Sequence, residues 1–365
     1  MAATTKLLNV TAYPLGIAGL VVVLPAVWGV RLYKALTMEP LDMKDKVVVV
    51  TGASSGIGEH MAYEYARLGA RLGLVARRGE KLEEVAEEAR LMGAPDVLVI
   101  EQDLGTEEGC KAAVDAALAH FKKIDTLALN AGMFHAYLFT DATDTKRFDS
   151  IMDVNFWGYV YMTYHALEHL QKNRGQIVVN SSVSSIVPQP RNSIYNASKA
   201  AVTNFFHTLR IELGDSVPIT IFSPGVTKSE LSDGKMSQAE GKVPGPEKAR
   251  DLRNEQLGLY PIVPTAMMAR DAVKAARYKK HDIILPVWYN MLGVYRALAP
   301  EVLDVGLRLW IVQDPPMAKR VIDTFNIKVG QPTKDQYEAG GFPKADKSEE
   351  DKSEEKQREK AGSRR

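Results

Sequence analysis

An α/β fold, built as one doubly wound parallel sheet of about seven strands in a single domain, is what this sequence predicts. Two observations predict it. Short β-branched runs alternate with amphipathic helical stretches from Lys46 to Leu285, and a glycine-rich turn links the first run to the first helix. An apolar N-terminal stretch and a charged C-terminal tail fall outside the pattern. The chain therefore divides into an apolar anchor with its flank (1–40), the α/β domain (41–320) and the tail (321–365).

Taken in order, Lys46–Val50 reads as a strand buried on both faces, Gly56–Leu68 as a helix and Leu72–Ala76 as a strand. Lys81–Met92 predicts a helix, Val97–Ile100 a strand, Glu107–Phe121 a helix and Thr126–Leu129 a strand. Phe148–Leu170 has the spacing of one long helix. Gln176–Asn180 reads as a strand, Tyr195–Leu213 as a helix and Ile219–Phe222 as a strand. A polar stretch near Leu231–Pro264 then precedes a helix around Ala266–Tyr278 and a last strand, Ile283–Leu285. Right-handed crossovers place the helices on both faces, and ligands of such folds sit at the carboxyl ends of the strands.

Composition narrows the function classes. Lys and Arg number 46 against 45 Asp and Glu, a net charge of +1, so nothing points to nucleic acid as a partner. Cys110 is the single cysteine; it cannot form an internal disulfide and reads as a small packed side chain.

The ends point to a membrane. Leu7–Val30 carries no charged side chain. As a helix it would be roughly 36 Å long at ~1.5 Å per residue, against a hydrocarbon core of ~30 Å. Pro14 and Pro25 predict a kinked span or a hairpin dipping into one leaflet or a lipid-droplet surface; a buried N-terminal helix is the bland alternative. Arg31, Lys34, Lys44 and Lys46 follow the stretch and only Lys6 precedes it, which puts the bulk of the chain in the cytosol. Sequons at Asn180 and Asn196 agree, because a lumenal chain would risk glycosylation within the catalytic region argued below. Pro343–Arg365 is nearly all charge, with Asp346–Glu350 repeated as Asp351–Glu355, and reads as a solvated tail.

The chemistry-bearing residues fall at strand ends. Thr51-Gly52-Ala53-Ser54-Ser55-Gly56-Ile57-Gly58 follows the first strand and opens a helix. Gly52 permits a tight turn, Gly56 a close backbone approach to pyrophosphate and Gly58 close helix–strand packing, the marks of a Rossmann-type dinucleotide site. The second strand ends in Arg77-Arg78, where an NAD site would carry an acidic residue. Two guanidinium groups suit a 2′-phosphate, so NADP(H) is favoured over NAD(H). Tyr195 and Lys199 lie one helical turn apart on one face. A phenol titrating near ~10 must shift about three units, roughly 4 kcal/mol, to work near neutrality, and one ammonium at ~4 Å supplies about that much. Ser182, just past a strand, can hold a substrate oxygen against that phenol, and Asn155 can hold a water linking Lys199 to solvent.

Together Thr51-Gly52-(x)3-Gly56-Ile57-Gly58, Asn130-Ala131-Gly132, Asn155, Ser182, Tyr195-(x)3-Lys199 and Pro224-Gly225 resemble the short-chain dehydrogenase/reductase family over about Lys46 to Leu285. The resemblance implies that Asn155, Ser182, Tyr195 and Lys199 are catalytic, with Lys199 also a ribose anchor. It further implies that Gly52, Ser54, Ser55, Gly56, Ile57, Gly58, Arg77 and Arg78 belong to the cofactor site, and that Asp103 approaches the adenine. Asn130, Ala131 and Gly132 would line the cleft, and Gly225, Val226 and Ser229 would serve the nicotinamide carboxamide.

Gly58–Ala66 and Asp153–Gly158 are similar to the 11β-hydroxysteroid dehydrogenase-like branch, especially the plant steroleosins of seed oil bodies. That implies a hydroxyl–ketone exchange on a lipophilic substrate, a hydroxysteroid or sterol, at the endoplasmic reticulum or a lipid droplet, with a homodimer as one assembly. A long-chain ketone, sphingoid base or retinoid is the alternative substrate, and a lipid-droplet structural protein the alternative class. His165 and His169, four apart, mimic a metal pair but are set aside, and no metal is expected. Trp288, Tyr289, Met291, Leu292, Tyr295 and Leu298 read as core or lid, or else as a membrane-facing entrance.

Overall fold

Four consecutive valines open the first strand, Val47–Thr51 (β1). Val47 and Val49 face one layer of helices, Val48 and Val50 the other, and all four are completely buried. An unbroken apolar run, rather than an alternating one, marks such a strand.

The computed structural model describes residues 2–135, 137–142, 144–228 and 262–309. After β1 come α2 (Gly56–Arg67), β2 (Arg71–Ala76), α3 (Gly79–Leu91), β3 (Val97–Glu101), α4 (Glu107–Phe121) and β4 (Thr126–Leu129). They are followed by α5 (Lys146–Met152), α6 (Gly158–Lys172), β5 (Gln176–Asn180), α7 (Ser193–Leu213) and β6 (Ile219–Pro224). A small pair, β7 (Thr227–Lys228) and β8 (Val263–Pro264), precedes α8 (Thr265–Arg277), β9 (Asp282–Leu285), α9 (Tyr289–Leu298) and α10 (Pro300–Leu307). The main sheet has seven strands in the order β3-β2-β1-β4-β5-β6-β9, every neighbouring pair parallel. Chain order reverses between β1 and β4, which opens a crevice at their carboxyl ends.

Each face of the sheet has its own core. Val114 and Phe121 of α4, Tyr159 and Met162 of α6 and Phe206 of α7 pack on one side. Met61 and Tyr65 of α2, Leu82 and Val85 of α3 and Val273 of α8 pack on the other. Cys110 is buried in the first of these layers.

One expected helix is not continuous. In place of a single helix over Phe148–Leu170, α5 ends at Met152, a π-helical turn spans Asp153–Trp157, and α6 begins at Gly158. The Gly158 N–H reaches back to Asp153 O, closing the wider turn. A Cβ at Gly158 would stand 2.4 Å from Leu104 O, so only glycine lets the chain pass this close to the loop after β3. The inserted turn buries Asn155 completely.

At the N-terminus one uninterrupted helix, Ala2–Thr37 (α1), runs through both Pro14 and Pro25 rather than breaking at them. Its stretch Pro14–Lys34 is long and apolar enough to cross a membrane, and none of it is buried. The linker behind it is strapped to the end of α8, where the Leu41 N–H donates to Arg277 O and Arg277 Nε donates to Leu41 O, each at 2.9 Å.

At the other end, α9 has two characters. Tyr289 is buried and Leu292 partly buried against Val183 and Val187, while Met291, Tyr295 and Leu298 are exposed. The chain divides into two units, Met1–Val312 and Gln313–Arg365. The second unit, the expected tail and nearly all of Leu231–Pro264 lie outside the described residues.

Candidate active site

The crevice between β1 and β4 is walled by backbone. Gly52 and Gly56 have φ of +65° and +67°, a conformation that side chains disfavour. A Cβ on Gly52 would stand 2.7 Å from Ala131 Cα, and one on Gly58 would stand 2.4 Å from Gly52 O. The turn can therefore fold under the start of α2 only as glycine. Ser55 precedes that helix in extended conformation and makes no side-chain cap to the first-turn N–H groups, and Gly56 and Ile57 of that turn line the cleft. Those N–H groups carry the partial positive charge that receives phosphate.

Asn130 locks three strands together at this point. Its backbone N–H donates to Thr51 Oγ1 at 2.8 Å, its Nδ2 to Thr51 O at 3.1 Å, and its Oδ1 accepts from Asn180 Nδ2 at 2.7 Å. At the outer end, Arg78 Nη2 reaches Ser54 Oγ at 3.0 Å and Ser55 Oγ at 3.1 Å, and so stands over the glycine turn. Arg77 Nη1 lies 3.9 Å from Asp103 Oδ2, both side chains being more than half exposed.

The inner end is built of side chains. Tyr195 and Lys199 sit one turn apart on α7, and the Ser182 side chain hydrogen-bonds the Tyr195 phenol. Ser182 starts a short 3-10 turn after β5 and accepts from the Ser184 N–H at 3.1 Å. Its neighbour Ser181 is turned away, 2.6 Å from Thr203 Oγ1. Lys199 is buried; its Nζ donates to Asn180 O at 2.9 Å and to Tyr159 Oη at 3.5 Å. The same Nζ stands 5.1 Å from the Tyr159 ring centre and 5.9 Å from that of Tyr195.

Here the charge arithmetic from sequence fails in part. Burial pushes the Tyr195 phenol up from its ordinary value, and only the Ser182 hydrogen bond pulls it down. Burial also lowers Lys199 to about 7. The expectation counted the attraction of an ammonium for a phenolate and omitted the cost of placing either charge in a dry cleft.

Asn155 is completely buried and held from two sides. Its Oδ1 accepts from the Met133 N–H at 2.7 Å, and its Nδ2 donates to Met133 O at 2.9 Å and to Ser198 Oγ at 3.0 Å. It buckles the segment after β4 to α7 instead of presenting its amide to the cleft.

One cavity of about 310 Å³ gathers Gly52, Ser54, Ser55, Gly56, Ile57, Arg77, Arg78 and Asp103 with Asn130, Ala131, Gly132, Ser182, Tyr195, Lys199 and Gly225. Three expected residues stand elsewhere. Gly58 packs beneath the turn, Asn155 lies behind the wall, and Val226 packs with Val183 and Tyr289 while Thr227 takes the lining position. Ser229 is outside the described residues. Sequence reasoning missed Asn180, Tyr159 and His135; of these, only Asn180 lay within a pattern already noticed, the strand end before Ser182.

Residues 46–240 match the family model described as short chain dehydrogenase. The chain is 42% identical over 310 residues to a protein of Pinus massoniana named 11-beta-hydroxysteroid dehydrogenase, covering 83% of this chain and 85% of that one. It is 39% identical to the Arachis hypogaea protein named 11-beta-hydroxysteroid dehydrogenase A, covering 88% and 93% of the two chains. Among solved structures, the alcohol dehydrogenase of the archaeon Thermococcus sibiricus, complexed with 5-hydroxy-NADP, superposes with a TM-score of 0.55 at 25% identity, over 66% of this chain and 96% of that one. A short chain dehydrogenase/reductase from Burkholderia phymatum in complex with NAD has the same fold, with a TM-score of 0.63 at 23% identity over 72% and 96%. From the glycine turn, the parallel sheet and these likenesses together, the chain belongs to the short-chain dehydrogenase family, on the branch of the plant proteins named 11-beta-hydroxysteroid dehydrogenase.

Proposed function

We propose that this oxidoreductase uses NADP(H) to interconvert a hydroxyl and a ketone on a lipophilic substrate, a hydroxysteroid or sterol. The observation that carries the reading is one polar cluster, Ser182, Tyr195 and Lys199, at the floor of a glycine-walled cleft whose rim bears Arg77 and Arg78. The cleft fits a dinucleotide, because the places where a Cβ would collide are those where a pyrophosphate would approach backbone.

A bound nicotinamide supplies or accepts the hydride. The protein orients and moves the proton. Ser182 holds the substrate oxygen against the Tyr195 hydroxyl, which donates its proton when a ketone is reduced and accepts one when an alcohol is oxidised. Lys199, held by Asn180 O and Tyr159, supports the phenolate by charge and anchors the ribose. Asn155 fixes the wall behind them. Arg77 and Arg78 would hold the 2′-phosphate, Asp103 would stand by the adenine, and Thr227 with Gly225 would serve the carboxamide end of this lining.

The relatives' printed names support a lipid-borne substrate and the exposed apolar α1 a membrane anchor; the basic residues that follow the apolar stretch favour the cytosolic side, at the endoplasmic reticulum or a lipid droplet in this proposal. The exposed face of α9 would then lie toward that surface. The test is nicotinamide consumption by purified full-length protein against steroids, sterols, long-chain ketones and retinoids, with both cofactor forms. Preferred turnover of a steroid or sterol with the 2′-phosphorylated form is expected. Faster turnover of another class, or of the unphosphorylated cofactor, overturns the corresponding half of the reading.

A further inference from the structure

Helix α7 carries the reactive phenol on its first turn, yet it starts without a cap of its own. Its N-cap residue, Asn192, makes no side-chain cap hydrogen bond. First-turn N–H groups have no partner within a helix and must find one elsewhere when buried. Here they find an imidazole. His135 Nε2 lies 3.2 Å from the Ile194 nitrogen and 3.4 Å from the Tyr195 nitrogen, both donors.

We infer that His135 is a positioning residue for Tyr195, its Nε2 lone pair serving as the cap that fixes the turn from which the phenol projects. The inference rests on the reading of Tyr195 as the acid and base. His135 comes from the segment after β4, is completely buried, and stacks on Tyr137 with ring centres 4.7 Å apart. Its two predecessors grip the same place. Phe134 packs edge-on against the Tyr195 ring at 5.0 Å, and Met133 is bound through Asn155 to Ser198 on the next turn of α7. Backbone and ring of Tyr195 are thus held by consecutive residues of one strand-end segment, which also lines the cleft through Met133.

Only an unprotonated Nε2 can accept these bonds, which assigns the ring proton to Nδ1. Burial pushes the imidazole below its ordinary value and so favours that neutral form. A protonated ring would aim a third donor at two others, at the positive end of a helix.

Two substitutions in the full-length chain test the role. His135→Leu keeps bulk without an acceptor, whereas His135→Gln places an amide oxygen near the Nε2 position. Hydrogen exchange is measured first, with no substrate present. The Ile194 and Tyr195 amides should exchange faster in the Leu variant and return toward the wild-type rate in the Gln variant. In turnover, His135→Leu should lower kcat by about ten- to a hundredfold with KM and NADPH affinity nearly unchanged, and His135→Gln should recover most of the loss. Unchanged exchange at both amides in His135→Leu overturns the contact. A wild-type kcat in His135→Leu, or a Gln variant as slow as the Leu variant, overturns the positioning role. Tyr195→Phe in the same assay separates the two readings: if it turns over normally the reading of Tyr195 fails, and if it is inactive while His135→Leu is not, only the present inference fails.

Discussion

The two ends of the cleft are built from different materials. At the phosphate end, Gly52, Gly56 and Gly58 work by what they lack, and the ligand surface is backbone drawn from one continuous stretch. At the phenol end, Ser182, Tyr195 and Lys199 come from two elements and are aimed by Asn180, Tyr159, Asn155 and His135 from four others. The contrast teaches where each end is vulnerable. A single added methyl should spoil the first by steric collision. The second should tolerate small losses in its fold but not in its chemistry.

The largest expected effect falls at the phenol end. Ser182→Ala should lower kcat by about 10²–10³-fold while melting close to the wild type, since a hydrogen-bond donor to the reacting oxygen is lost and nothing is overfilled. Comparable losses in kcat and stability would blur the distinction between the ends.

Next come the rim arginines. The double change Arg77→Ala and Arg78→Ala should weaken NADPH by roughly 1.5–3 kcal/mol, tenfold or more, and leave NADH almost unaffected in a binding titration. Equal weakening of both cofactors would show that the guanidinium groups serve the turn and not the 2′-phosphate.

Gly58→Ala sharpens the contrast from the other side. Its methyl would meet Gly52 O at 2.4 Å, so a stability loss of about 1–3 kcal/mol should accompany poor nucleotide binding. A variant that melts like the wild type and binds normally would mean that the turn has slack.

Proton linkage offers a finer test. Burial brings Lys199 to about 7, so its charge is present below that pH and lost above it. Accordingly kcat/KM for ketone reduction should fall as pH rises through about 7, and Lys199→Met should flatten that limb. The smallest effect expected is at the sheet edge. Burial raises the Asp282 carboxyl, but hydrogen bonds from His207 and Arg210 outweigh it and hold the group low. The stability this pairing adds is present above the ordinary carboxylate value and lost as pH falls through the lowered one. Because the side chain is half exposed, Asp282→Asn should cost less than about 1 kcal/mol in denaturant unfolding.

The same contrast explains what the sequence made legible. The glycine turn, the arginine pair and the strands around them are local in the chain, so spacing alone places them. The Tyr195 and Lys199 pair was visible for the same reason. The residues that aim the pair were not, because Met133–His135 reaches α7 only through the fold. Helical periodicity carried Phe148–Leu170 as one helix, since a single π-helical turn leaves the apolar spacing on either side intact while rotating Asn155 inward. Charge counting left out the burial that pushes the Tyr195 phenol up, because burial has no signature in a spacing. The packing of Val226 with Val183 and Tyr289 was equally hidden, because those residues lie far from it in the chain.

If Tyr195 moves the proton, the cleft should bind its cofactor independently of that phenol. Tyr195→Phe tests it most directly, with NADPH affinity and turnover of the best substrate measured on the same preparation. NADPH affinity should be unchanged and kcat lower by about 10²–10⁴-fold. Turnover near the wild-type rate in that variant would contradict the role of Tyr195.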